Sequence, residues 1–96
     1  MSIPKLYYFD IPGKAEAARL ACQYAGYPIE DVRLSREEFL AMKEAGRLPF
    51  GQVPVMDIGD GTMIGQSAAI MRYLGKKTGL YPSDDVVAAL VDSIID

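Results

Sequence analysis

Three observations predict an α/β domain whose core is a four-stranded mixed sheet. Apolar runs of strand length alternate with stretches of helical period, giving the order β-α-β-α-β-β-α. Two of the helical stretches open on start signals, Ser35-Arg36-Glu37-Glu38 and Gln66-Ser67. Gly59-Asp60-Gly61 separates the last two strand-like runs by little enough to close a hairpin. A hairpin makes those strands antiparallel, whereas the first two, joined through a helix, are parallel by a right-handed crossover. The 96 residues suit one domain with a core of its own.

Lys5 to Phe9 is apolar and aromatic and reads as a strand buried on both faces. Asp10-Ile11-Pro12-Gly13 is a loop. From Lys14 a helix follows, with Ala17, Leu20, Ala21 and Tyr24 at the spacing of a core stripe and Gly26 as its stop. Pro28 to Leu34 alternates roughly and is the second strand. The capping box at Ser35 opens a helix that runs to about Ala45, where Gly46 ends it. Val53 to Ile58 and Thr62 to Ile64 are the hairpin strands. Ser67 caps the third helix, which buries Ile70, Met71 and Leu74; Lys76 and Lys77 suit its C-terminal dipole, and Gly79 stops it. The layout is that of thioredoxin-like domains.

Residues 1–79 are thus the domain proper, and 80–83, around Tyr81-Pro82, a linker. Ser83 caps a further helix over 84–96, with Asp84 and Asp85 in its first turn and a stripe of Val87, Leu90, Val91 and Ile94. A terminal helix docked on the domain is one reading. The preferred one takes it as the first helix of a truncated all-α domain, because the stripe runs to Asp96 without a C-cap.

Composition narrows the function. With no histidine, a His-based triad and the usual zinc site are excluded, and no metal is expected. The single cysteine leaves neither an internal disulfide nor a Cys-x-x-Cys pair, which suits a reducing cytoplasmic setting. Cys22, mid-helix, reads as an inert small apolar residue. A net charge of −3 with scattered basic residues offers no face for nucleic acid. The first residues lack a secretion signal's pattern, and no apolar run approaches the roughly 20 residues of a membrane span.

The segment Arg47-Leu48-Pro49-Phe50-Gly51-Gln52-Val53-Pro54-Val55 carries the functional signal. A proline just ahead of a buried strand must sit at a special position, because it cannot donate to the sheet ladder. A cis Val53-Pro54 bond turns the main-chain groups of Val53 out of the sheet. Beside them, the helix opening at Ser67 is a ready carboxylate site. An open strand edge next to an anion pocket is a receptor for a short, acidic, peptide-like ligand.

Three motifs together resemble the N-terminal domain of cytosolic glutathione transferases, most closely the sigma class that includes hematopoietic-type prostaglandin D synthases. They are Tyr8-Phe9-x-x-x-Gly13-Lys14-Ala15-Glu16, Leu48-Pro49-Phe50-Gly51-Gln52-Val53-Pro54, and Gln66-Ser67-x-Ala69-Ile70-x-Arg72-Tyr73-Leu74, which span almost the whole chain. The resemblance implies that the protein binds glutathione, stabilises its thiolate and adds it to small hydrophobic electrophiles. Tyr7 and Tyr8 point to opposite sheet faces, so only one can serve. Composition alone reads either as a core tyrosine; the family pattern, with the working tyrosine five residues before the glycine, selects Tyr8. Its phenol would donate to the sulfur and favour the thiolate, the nucleophilic form.

The same resemblance assigns the other contacts. Lys14 stands where sigma-type proteins carry arginine, keeping the charge without the planar fork; it also reads as a solvated helix-start lysine. Pro12 also replaces a common arginine. Gln66 and Ser67 would hold the γ-glutamyl end, although Ser67 is equally an N-cap. Gly51, Gln52, Val53 and Pro54 would line the middle of the tripeptide, with Val53 pairing through its main chain. Phe39 and Lys43 resemble the tryptophan and lysine over the glycyl carboxylate, although phenylalanine in such a pattern is more often a core residue. Asp96 stands where relatives reach the γ-glutamyl ammonium across a dimer. Phe50 resembles the aromatic key of a homodimer interface.

Three functional readings follow. The first is a transferase, or an isomerase of a prostanoid-like endoperoxide, with Ile11, Pro12, Gly13 and the absent helical domain forming the electrophile pocket. The second is a non-catalytic ligand carrier or crystallin-like relative. A glutaredoxin-like redox protein needs a cysteine near Pro12-Gly13, and none is there. The 96-residue piece alone is expected to be weakly active or inactive and prone to self-association through its apolar stripe.

Overall fold

In the computed structural model, which describes residues 2–95, the sheet is centred on β1 (Lys5–Phe9). β1 pairs in parallel with β2 (Glu30–Leu34) and antiparallel with β3 (Val55–Asp57). β3 pairs antiparallel with β4 (Met63–Gly65), so the order is β2-β1-β3-β4. This is the mixed thioredoxin-like sheet that the pattern predicts. The strands are shorter than expected: β2 begins two residues late, and Val53 and Pro54 lie ahead of the β3 ladder. The hairpin is tied by Asp57, whose Oδ1 accepts from Gly59 N (2.8 Å) and Gly61 N (3.1 Å).

Alternation along β1 sends its side chains to two separate cores. Leu6 and Tyr8 join Met56 and the small residues Ala15, Ala18 and Cys22, together with Ile70 and Leu74. Tyr7 joins Val55, Leu34, Met42 and Leu48 on the opposite face. The first core is roofed by α1 (Glu16–Ala25), entered through a 3-10 turn at Gly13–Ala15, and by α3 (Ser67–Thr78). The second is roofed by α2 (Arg36–Glu44). Leu6, Val55, Met56, Ile70 and Leu74 have under 2% of their surface exposed. Each contributes about 1.5–3 kcal/mol of burial.

Helix α1 corrects the sequence reading. Its buried residues are Ala18 and Cys22, whereas Leu20 is 54% and Tyr24 80% exposed. Ala17 is exposed as well, and Ala21 half-buried. The helix has two apolar stripes, and the small one faces the sheet because it lets the backbone approach closely. Bulk favoured the wrong stripe.

Two helix starts also shift. α3 begins at Ser67 itself, so the N-cap position belongs to Gln66 and Ser67 is not the cap. α4 (Asp85–Ile95) is capped by Asp84, not Ser83: Asp84 Oδ2 accepts from Val87 N at 3.0 Å, where a carboxylate meets both the open N–H and the helix dipole. Helix α4 is tied to the body by Asp92, whose Oδ1 accepts from Arg72 Nε (2.9 Å) and the Tyr81 hydroxyl (2.7 Å). The Tyr81 hydrogen bond, then Arg72, hold the Asp92 carboxyl below its ordinary range. Val86, Val87 and Leu90 nevertheless remain exposed. The side chain of Ile94, and Asp96 altogether, lie outside the described residues. Among the described residues, no helix is long and apolar enough to cross a membrane.

Candidate functional site

Helix α3 begins without a side-chain cap. Ile70 N donates to Gln66 O at 3.1 Å, closing the first helical turn. The N–H groups ahead of it are the usual orphans of a helix start, at the end carrying about half a unit of positive charge. Gln66 enters the helix at φ 74°, ψ 125°, and it is the one positive-φ residue other than glycine among those described. Such a conformation costs about 1–3 kcal/mol and is found where ligands are clamped. It puts Gln66 at the cap position and makes Ser67 the first helical residue.

Facing this helix start is the segment before β3. The Val53–Pro54 peptide is cis, the condition on which the sequence reading of this edge depends. Pro54 is buried, Val53 half-buried and Gln52 exposed. Among the described residues, no main-chain hydrogen bond engages Val53. Lys14, Phe50, Gln52, Val53, Pro54, Gln66 and Ser67 together line one narrow pocket. Six of the expected ligand contacts and the expected interface aromatic therefore converge. Phe50 is 62% exposed. Its ring edge lies against Gly65, where a Cβ would stand 2.7 Å from Phe50 Cδ2, so residue 65 must be glycine for the ring to lie there.

Tyr8 is not among the residues that line this pocket and is linked to it through Lys14. Its ring is 8% exposed within the α1–α3 core, and its hydroxyl accepts from Lys14 N at 3.3 Å. Lys14 itself forms a pocket wall. A Cβ on Gly13 would run into the Tyr8 hydroxyl, so this glycine, at φ 43°, lets loop and phenol touch. Because the phenol oxygen accepts from the main chain, its own proton stays available to donate. Tyr7 lies in the other core, with its hydroxyl accepting from Arg47 Nη2 at 3.4 Å. The two tyrosines thus have separate surroundings, as strand alternation requires.

Lys43 and Phe39 part company. The Lys43 side chain reaches over Gly51, its Cε 3.5 Å from where a Cβ would stand there. Phe39 packs edge-to-face on Phe9, ring centroids 5.3 Å apart, and against the Tyr7 core. Neither Phe39 nor Lys43 is among the residues that line the pocket. Cys22 is 2% exposed, and burial raises its thiol pKa, which keeps it protonated and unreactive. Among the described residues, no cluster of three or more His, Cys, Asp and Glu is placed to hold a metal ion.

Sequence reasoning overlooked Arg19. Its side chain is 8% exposed and makes hydrogen bonds to Ile11 O (2.7 Å), Phe9 O (3.1 Å) and Asp31 Oδ1 (3.1 Å). The available signal was a lone arginine inside the apolar turns of α1, three residues after Glu16. A larger hollow of about 430 Å³ lies between α1 and β2, but its charged walls are ion-paired, Arg19 with Glu16 and Asp31, and Arg33 with Asp31. It presents no comparable set of unengaged groups.

The chain was compared with known proteins. The family described as "Glutathione S-transferase, N-terminal domain" matches residues 4–76. Glutathione S-transferase 1 of Ascaris suum is 49% identical over 92 residues, covering 96% of this chain and 43% of that protein. Hematopoietic prostaglandin D synthase of Gallus gallus is 42% identical, covering 96% and 45% respectively. The solved structure of a Nu-class GST from Haemonchus contortus superposes with a TM-score of 0.85 at 44% identity, covering 98% of this chain and 45% of that one. The chain spans under half the length of these relatives.

Proposed function

The chain belongs to the family of glutathione S-transferase N-terminal domains, and from that premise we propose that it is the glutathione-binding part of a glutathione transferase. The observation that carries the reading is the pocket that joins the uncapped start of α3, the Val53–Pro54 edge and Lys14. The γ-glutamyl carboxylate docks on the first N–H groups of α3 and the Ser67 hydroxyl, with the Gln66 amide beside it. The cysteinyl unit pairs with the Val53 main chain as a one-residue strand addition. Gln52 and Lys43 serve the glycyl end, Gly51 leaving room for the lysine. Phe39 backs β1 from the core and is given no ligand contact.

Tyr8 supplies the chemistry. Its phenol, held at the Lys14 N–H, donates to the glutathione sulfur and favours the thiolate over the thiol. The electrophile is a small hydrophobic molecule that approaches over Ile11, Pro12 and Gly13. We assign residues 1–79 to the thioredoxin-like domain, 80–83 to a linker and 84–96 to the first helix of an all-α domain. The uncovered Leu20, Tyr24, Val86, Val87 and Leu90 support that division. Exposed Phe50 supports a homodimer, and the working compartment is the cytoplasm.

The test is conjugation of glutathione to an aryl halide by the full-length protein. Tyr8→Phe is expected to lower kcat/KM about 100-fold, in line with the loss of one donor to a developing anion. Tight glutathione binding with no turnover by the unaltered protein selects the non-catalytic carrier instead. The avian prostaglandin D synthase supports a second catalytic reading, isomerisation of an endoperoxide. Turnover of such a substrate without net consumption of glutathione selects it.

A further inference from the structure

The loop between β1 and α1 carries both groups that fix the Tyr8 phenol: Gly13, against its hydroxyl, and Lys14, whose N–H donates to it. That loop is gripped from behind. Arg19 donates to the carbonyls of Phe9 and Ile11 and stacks 5.7 Å from the centroid of the Tyr8 ring. Asp31, on edge strand β2, accepts from Arg19 Nε at 3.1 Å through one oxygen and from Arg33 Nε at 3.1 Å through the other. Arg33 in turn holds Asp10 at 2.8 Å. One carboxylate outside the pocket therefore orients two guanidinium groups that bind three consecutive residues, Phe9, Asp10 and Ile11.

The two arms differ in weight. Arg33 and Asp10 are 44% and 78% exposed, so their pair is screened and weak. Arg19 is shielded, and its planar fork meets four acceptors in different directions: the carbonyls of Phe9 and Ile11, the Asp31 carboxylate and, at 3.4 Å, Glu16 Oε1. A lysine carries the same charge on a single nitrogen and cannot span them.

We propose that Arg19, oriented by Asp31, is a positioning residue that fixes the β1–α1 loop and so holds the Tyr8 phenol in reach of the glutathione sulfur. The inference rests on Tyr8 being the group that stabilises the thiolate. The effect on affinity is small, since Val53, Gln66 and Ser67 sit on other segments and, of the residues lining the pocket, Lys14 alone is carried by this loop. Moving the phenol should raise the thiol pKa and leave binding nearly unchanged.

The experiment follows the ultraviolet absorbance of the thiolate against pH in the full-length protein saturated with glutathione. It compares Arg19→Lys, Asp31→Asn, Tyr8→Phe and the Tyr8→Phe/Arg19→Lys double variant, with glutathione affinity measured for each. Arg19→Lys and Asp31→Asn are expected to raise the titration midpoint by about one pH unit, a tenfold loss of thiolate at a given pH below it. Affinity should stay within about twofold, and Arg19→Lys should add nothing once Tyr8 is phenylalanine, the signature of action through Tyr8. Unchanged midpoints in both single variants beside a shifted Tyr8→Phe overturn the inference and spare the Tyr8 reading. An equal shift from Arg19→Lys in the Tyr8→Phe background, or a matching loss of affinity, also overturns it. An unshifted Tyr8→Phe removes both. If Arg19→Lys does not fold, Asp31→Asn and Tyr8→Phe/Asp31→Asn decide, because Asp31 lies on the edge strand and is 32% exposed.

Discussion

Helices α2 and α3 begin in opposite ways. At α2, Ser35 Oγ accepts from Glu38 N at 3.1 Å while Glu38 Oε1 accepts from Ser35 N at 2.8 Å, so two open N–H groups are answered reciprocally. At α3 no side chain caps the start, and Gln66 holds an unfavourable positive φ. One start is finished within itself; the other is left with donors unanswered and with strain. A fold that obeys local rules at one helix and breaks them at another supports the proposal that the glutathione carboxylate docks at the second.

Breaking that contrast at α3 should have the largest effect. Ser67→Ala removes a hydroxyl donor to a carboxylate and is expected to weaken glutathione binding by at least about tenfold, measured by calorimetric titration. An unchanged affinity would mean that the carboxylate does not sit at this helix start. Gln66→Gly sharpens the contrast by separating strain from binding. It should weaken glutathione by about tenfold through loss of the amide while stabilising the unliganded protein by about 1 kcal/mol through relief of φ. Loss of both stability and affinity would show that Gln66 is needed for the fold.

At α2 the expectations reverse. Ser35→Ala should cost about 1 kcal/mol of stability, read from the denaturation midpoint, with no change in glutathione affinity. The smallest effect concerns acid. The Ser35 N–H holds the Glu38 carboxylate below its ordinary pKa, so its stabilisation is present above the unfolded value, about 4.3. It is lost as pH falls through the lowered folded value. Glu38→Gln should therefore flatten the acid limb of the stability profile, and an identical limb in both proteins would deny the capping box that role.

Legibility followed the range of the interaction. The capping box, Gly26 and the Gly59-Asp60-Gly61 hairpin are local, each readable from a few adjacent residues, and each forms where expected. The pocket was legible because its residues fall in two short motifs, 50–54 and 66–67, with Lys14 apart. The buried stripe of α1 was not legible. Periodicity finds apolar faces but not which of two faces meets the sheet, and Leu20 and Tyr24 outweighed Ala15, Ala18 and Cys22. Phe39 turned on Phe9, thirty positions away, and Arg19 on Asp31 and two loop carbonyls.

By itself, then, the amino-acid order determined the succession of elements and the special position of Pro54. These rest on backbone preferences and short-range hydrogen bonds. Tertiary structure alone decided that Gln66 takes the cap position, that the Tyr8 hydroxyl rests on Gly13 and Lys14, and that Arg19 and Asp31 brace the loop between them. Those outcomes depend on which surfaces pack together across the sheet, a competition between long-range contacts that no local pattern records.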